Sequence, residues 1–84
     1  MKYVYLTFRS VTAAMEARRL LERAGLSARL LRTPEQLRSR GCGYSLRLRR
    51  QDLPEGKLLL NQYGAAPEKY FQELAPGSWQ EVAP

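Results

Sequence analysis

The sequence predicts an α+β fold, a ferredoxin-like βαββαβ sandwich with two helices on one face of a four-stranded antiparallel sheet. The first observation is the order of patterns, since strand and helix signals follow one another as β-α-β-β-α-β within residues 1–75. The second is that the first and third strand patterns are the strongest, as expected for the central pair of this sheet. The third is size, because 84 residues with 44% apolar content suit one domain with one core. We therefore expect a single domain over residues 1–75 and a C-terminal tail over residues 76–84.

The first half of the chain supplies a strand, a helix and a second strand. Tyr3–Phe8 is rich in aromatic and β-branched residues and is typical of a strand. Ser10 is a suitable N-cap for a helix whose apolar residues recur at 3.6-residue spacing. Gly25 suits the left-handed position that ends a helix. Ala28–Arg32 is short and bears arginines, which favours a strand at the edge of a sheet.

The second half repeats this order. Tyr44–Arg49 alternates between apolar and polar residues and predicts a strand with one buried face. Asp52 and the glutamate three residues later have the spacing of a capping box at the start of a helix. Gly56 weakens that helix by roughly 0.5–1 kcal/mol relative to alanine, so a late start is expected. Residues 68–74 predict the fourth strand.

The net charge of +6 is concentrated in one stretch of the chain. Residues 29–50 contain seven arginines and a single acidic residue, Glu35. Such a block attracts anions, whether nucleic acid, an acidic partner or a small oxyanion. We single out Arg47 and Arg49, on the third strand, as candidates for binding an anion or a partner. The alternative is that these arginines only keep a hairpin edge soluble.

The residue types that are missing exclude several kinds of site. The chain has no histidine and one cysteine, which excludes Ser-His and Cys-His triads and ordinary zinc sites. We therefore expect no metal and no cofactor, and an enzyme in the ordinary sense is the least expected class. One cysteine cannot form an internal disulfide, which fits a reducing compartment. No apolar run approaches the ~18–20 residues of a membrane span, and no signal peptide is evident, so a cytoplasmic location without membrane contact is expected.

The single cysteine lies in an unusual local sequence. Cys42 stands between Gly41 and Gly43, and Arg38 and Arg40 precede it. Glycines adopt backbone conformations that are closed to other residues and leave space around a sulfur. We expect the thiol to be exposed. The alternative is a small buried hydrophobe, because free cysteine is among the most buried residue types.

The predicted topology gives this cysteine a chemical environment. The third strand runs antiparallel to the first, so it begins beside the end of the first strand, where the first helix starts. Cys42 is therefore expected near Arg9 and Ser10. Helix N-termini and neighbouring arginines both favour a thiolate over a thiol. The sequence thus predicts a reactive Cys42, supported by these two residues and by the glycines and arginines that flank it.

Several stretches resemble a known family. The strand Tyr3–Phe8 with the following Arg9 and Ser10, the helix to Leu21, and the segment from Thr33–Pro34 to Tyr44 are similar to the DUF3343 family of small bacterial proteins, labelled Se/S carrier-like. The resemblance covers about residues 1–75. It implies transport of sulfur or selenium as a persulfide or perselenide on Cys42. It also implies partner proteins that donate and accept these elements.

Two other functions are compatible with the predicted fold. Many ferredoxin-like domains bind single-stranded RNA on the open sheet face, where Tyr3 and Tyr5 would stack on bases beside Arg47 and Arg49. Against RNA binding, Cys42 occupies a position where a stacking aromatic belongs. The other alternative is an interaction module that forms a homodimer through the sheet face and buries the same two tyrosines.

Overall fold

The computed structural model describes residues 3–38 and 43–82 of the chain. It confirms a small α+β domain with two helices and an antiparallel sheet. Two short 3₁₀ helices, Glu35–Leu37 and Arg50–Asp52, precede the third strand and the second helix. The elements in chain order are β1 (Tyr3–Thr7), α1 (Val11–Arg23), β2 (Ala28–Arg32), β3 (Tyr44–Arg49), α2 (Leu53–Gln62), β4 (Lys69–Ala75) and β5 (Ser78–Val82).

The sheet has five strands in the order β2-β3-β1-β4-β5, and all neighbouring strands are antiparallel. The prediction of four strands is therefore wrong. Residues 78–82, which the sequence assigned to a tail, pair with β4 as β5. Pro76 and Gly77, at the start of the predicted tail, form the turn between the two strands. Gly77 adopts a positive φ of 79°, a conformation that glycine enters without steric cost.

The hydrophobic core lies between the helices and one face of the sheet. Val4 and Leu6 of β1 stand opposite Leu48 and Leu46 of β3, and all four side chains are buried. Both helices contribute to the same cluster, so both cover this face. Their buried members are Ala14, Ala17, Leu21, Leu53 and Leu60.

The first helix begins as predicted. The Ser10 side chain accepts a hydrogen bond from the Ala13 backbone N–H at 3.1 Å, so Ser10 is the N-cap of α1. Gly25 follows the helix with a φ of 83°, as expected for a residue after a helix C-terminus. α1 has thirteen residues and α2 has ten. Neither helix of the described chain is long and apolar enough to cross a membrane.

The start of α2 differs from the prediction. The Asp52 side chain makes no capping hydrogen bond, and its Oδ2 lies 3.5 Å from Arg49 Nε instead. The helix does not start late, because it begins at Leu53 and includes Gly56. A Cβ at Gly56 would lie 3.0 Å from Leu48 Cδ2, so glycine allows α2 to pack closely on β3.

We call the sheet face opposite the helices the outer face. Ser45 lies on it, since Leu46 points to the core, yet Ser45 is fully buried. Its hydroxyl oxygen is 2.6 Å from Thr33 Oγ1, in the segment that follows β2. Leu37 is also buried but does not belong to the core cluster. The segment after β2 therefore covers part of the outer face near the start of β3.

Candidate functional site

Three of the predicted site residues, Arg40, Gly41 and Cys42, lie outside the described residues. The described chain reaches this stretch from both sides, through Arg38 before it and Gly43 after it. These two residues are therefore the described residues nearest in the chain to the predicted thiol, and their contacts follow.

Both of these residues bond to Thr33. The Thr33 N–H donates to the Gly43 carbonyl oxygen at 2.7 Å, and Arg38 Nη2 donates to the Thr33 carbonyl oxygen at 3.3 Å. The Thr33 hydroxyl bonds the buried hydroxyl of Ser45. Thr33 itself is 3% exposed. We call these four residues the Thr33 cluster; it holds both sides of the segment that carries Cys42.

The Thr33 cluster lies at the end of the sheet where α1 begins. Ser45 pairs with Thr7, the last residue of β1, and the chain then passes through Arg9 to the N-cap Ser10. The predicted position of the start of β3 beside the end of β1 is confirmed. The expected proximity of Cys42 itself to Arg9 and Ser10 stays a prediction.

A groove lies beside the start of α1. It has a volume of about 230 Å³ and lies between α1 and the loop that joins α2 to β4. Its lining includes the exposed Arg9 and two carboxylates, Glu16 and Glu68. Arg19 bonds the first of these and holds the pKa of Glu16 below its usual value. The groove therefore presents one cation and two anions beside the helix start.

Gly43 is the one described glycine beside the predicted thiol. A Cβ added at Gly43 would meet nothing within 4 Å among the described residues. The predicted role of Gly43 in leaving space around the sulfur stays a prediction. The corresponding expectation for Gly41 lies outside the described residues.

Comparison with protein families gives one match. A family described as "Putative Se/S carrier protein-like" matches residues 2–72, a range that contains the Thr33 cluster and Cys42. The chain belongs to this family. The match confirms the resemblance seen in the sequence. Searches of the curated proteins and of the solved structures found no match.

In this member of the Se/S carrier-like family, the two outer-face tyrosines contact other side chains of the same chain. The Arg47 guanidinium carbon lies 4.2 Å from the centroid of the Tyr3 ring. The Trp79 and Tyr5 rings meet edge to face, with centroids 4.9 Å apart and planes at 87°. Trp79 comes from β5, which the sequence did not predict. These contacts give no support to RNA stacking or to a dimer formed through free tyrosines.

The positively charged stretch of the sequence separates into two places in the fold. Arg38 joins the Thr33 cluster, whereas Arg47 and Arg49 lie toward the other end of β3 on the outer face. Six residues of extended strand, roughly 20 Å, separate Gly43 from Arg49. Arg49 therefore lies apart from Gly43, and the distance from these arginines to Cys42 itself lies outside the described residues.

Sequence reasoning missed the residues that hold the Cys42 segment, Thr33 and Ser45. The Thr33–Pro34 pair was visible as part of the family resemblance, and Ser45 as a polar position of an alternating strand. Their contact depends on the register of β2 against β3, where Leu31 stands opposite Ser45. No local sequence signal specifies that register. Within residues 3–38 and 43–82, no cluster of three or more acidic residues could hold a metal ion.

Proposed function

We propose that this protein carries sulfur or selenium on Cys42, as a persulfide or a perselenide. The observation that carries the proposal is the family match over residues 2–72, a range in which Cys42 is the only cysteine. A carrier needs an accessible sulfur nucleophile and gains from having no second thiol that could displace the cargo. Cys42 meets the second condition because the chain has no other cysteine.

The transfer step balances without an added oxidant. The Cys42 thiolate attacks the outer sulfur of a donor persulfide, R–S–SH. A new S–S bond forms on Cys42 while the S–S bond of the donor breaks, and the donor leaves as the thiolate R–S⁻. A donor of the type R–S–SeH loads selenium in the same way, and an acceptor thiolate removes the cargo by the reverse attack. The proposed partners are therefore proteins that present persulfides or thiolates.

The Thr33 cluster supports this proposal by its position in the chain. Its hydrogen bonds hold Gly43, one residue after Cys42, and Arg38, four residues before it. The hydrogen bond to Thr33 restrains the Arg38 guanidinium, which belongs to a residue near Cys42 in the chain. A cation near a thiol favours the thiolate. We propose the same supporting role for Arg40, for Arg9 and for the start of α1 at Ser10. Iodoacetamide kinetics against pH should give a thiol pKa below the free value of about 8.5.

We further propose that the family domain is a ferredoxin-like arrangement of β1 to β4 with α1 and α2, over residues 1–75. Residues 78–82 lie beyond the matched range and would extend that arrangement by one strand. An experimental structure of the chain would test this description. We also propose a cytoplasmic location, where a free thiol stays reduced; fractionation of the cells that make the protein would test it.

Intact mass spectrometry tests the carrier function. The purified protein is incubated with a polysulfide donor and measured before and after reduction. We expect a gain of ~32 Da, or ~80 Da with a selenium donor, that reduction removes and that Cys42→Ala never shows. Two added oxygens also give about 32 Da, but a sulfinic acid resists dithiothreitol, so the reduction step separates the two products. Circular dichroism should show that the alanine variant is folded.

Two results would contradict the proposal. One is the absence of any reducible adduct on the wild-type protein under conditions that load a control thiol protein. The other is an adduct of equal yield on the folded Cys42→Ala variant.

A further inference from the structure

We propose a second binding site on the outer face, for a small dianionic oxyanion of the phosphate type. It is formed by Arg29 and Arg47, with Arg49 and Ser27 at its rim. The proposal does not rest on the carrier function, because it uses neither Cys42 nor any residue of the Thr33 cluster.

The first observation is a pair of like charges. Arg29 of β2 and Arg47 of β3 are direct cross-strand partners on the outer face. Like charges directly opposite each other destabilise a sheet. Among the described residues, no carboxylate lies within ion-pair distance of either arginine. An anion between the two guanidinium groups would remove this repulsion.

The second observation is a polar atom without a partner. Arg47 Nε is buried, and no described residue accepts a hydrogen bond from it. The same guanidinium lies over the Tyr3 ring, which restricts its orientation. A planar, fixed guanidinium binds oxyanions through paired N–H groups more strongly than a mobile ammonium does.

The third observation is the shape of the surface. Tyr3, Ser27, Arg29, Arg47 and Arg49 line a concavity of about 350 Å³ on the outer face. This volume suits a small molecule. A flat track for a polynucleotide would also need free stacking rings, but Tyr3 and Tyr5 already contact Arg47 and Trp79.

The charge count selects the ligand class. Arg29 and Arg47 bring two positive charges that no described acid balances. A single carboxylate would neutralise one of them, whereas a phosphate group carries about 1.5 to 2 negative charges at neutral pH. Inorganic phosphate and a phosphate monoester share this chemistry, so both serve as probes.

Calorimetric and thermal titrations test the site. Inorganic phosphate and glycerol 3-phosphate are titrated at constant ionic strength, with chloride as the reference anion. We expect saturable 1:1 binding and a melting temperature that rises with ligand concentration. Arg29→Gln and Arg47→Gln should each weaken binding by on the order of tenfold or more, because each removes charge-assisted hydrogen bonds. The tighter of the two ligands identifies the source of the phosphate group.

Matched controls make the result specific. Arg23→Gln removes the same charge from the exposed end of α1 and should leave phosphate binding unchanged, as should Cys42→Ala. In phosphate-free buffer, Arg29→Gln should raise the melting temperature, because it relieves the repulsion from Arg47.

Three results would overturn the proposal. One is an equal loss of binding in Arg23→Gln and Arg29→Gln, which would indicate general charge attraction. Another is no saturable binding of either phosphate by the wild-type protein. The third is binding of a single-stranded oligonucleotide without binding of the small phosphates, which would assign the arginines to nucleic acid.

Discussion

Replacing Thr33 by valine tests whether the Thr33 cluster holds the Cys42 segment. Valine keeps the β-branched shape but removes the hydroxyl, which leaves the Ser45 hydroxyl buried without this partner. Both residues are almost fully buried, at 3% and 0% exposure, so water cannot easily replace the lost bond. An unsatisfied buried polar group costs about 1–3 kcal/mol of unfolding free energy.

Urea denaturation and thermal melting measure this loss. For a domain of 60–100 residues, each kcal/mol lowers the melting temperature by about 4–8 °C. We also expect trypsin to cleave after Arg38 faster in Thr33→Val, because the Arg38 and Gly43 bonds to residue 33 lose a fixed support. Cleavage after Arg18 in α1 serves as the internal reference.

A double-mutant cycle isolates the hydroxyl pair. Thr33→Val with Ser45→Ala should lose less stability than the sum of the single variants, with a coupling of about 1 kcal/mol, because the second change removes the unsatisfied hydroxyl. Thr12→Val, at an exposed position of α1, should change stability by at most about 0.5 kcal/mol. A Thr33→Val loss as small as this control, or strictly additive single variants, would refute the reasoning.

Two further predictions concern packing and pH. Gly56→Ala should lower the free energy of unfolding by about 1 kcal/mol. Alanine favours the helix by a similar amount, but its Cβ would lie 3.0 Å from Leu48 Cδ2, and overpacking costs about 1–3 kcal/mol. A variant that is more stable in urea denaturation would contradict the close contact. Burial raises the pKa of Tyr70 above its ordinary value of 10.0, so the folded state favours the neutral phenol. The stabilisation is complete below about pH 10 and is lost as the pH rises toward the raised pKa. Tyr70→Phe should therefore lose less stability between pH 9 and about pH 11 than the wild type does; identical profiles for Tyr70→Phe and wild type would contradict the shift.

The sequence was sufficient for the local elements and for the pairing of the central strands. Ser10 and Gly25 mark the two ends of α1 through interactions within a few residues, so the sequence alone predicted both ends. The alternation in Tyr44–Arg49 identified the buried face of β3 for the same reason. Asp52 matched a capping box but pairs instead with Arg49, three residues before it, so a competing local partner made this prediction wrong.

The other missed parts, β5 and the contact of Thr33 with Ser45, share one cause, because each depends on residues far apart in the chain. β5 is defined by its pairing with β4 and by the contact of Trp79 with Tyr5, while the turn residues Pro76 and Gly77 just before it are typical of a tail. Thr33 and Ser45 are twelve residues apart and meet only through the register of β2 and β3. The family resemblance identified the segment that contains Thr33 but not the hydrogen bonds that this residue makes.

The strand order also distributes the charged residues of the strands unevenly across the sheet. β2 and β3, at one edge of the sheet, carry four arginines and no acidic residue. β1, in the middle, is uncharged, and β4 and β5, at the other edge, carry one lysine and two glutamates. The sheet therefore carries its positive charge at the β2–β3 edge and its negative charge at the other edge. We expect a negatively charged partner to be attracted to the β2–β3 edge during its approach, and salt to weaken this attraction.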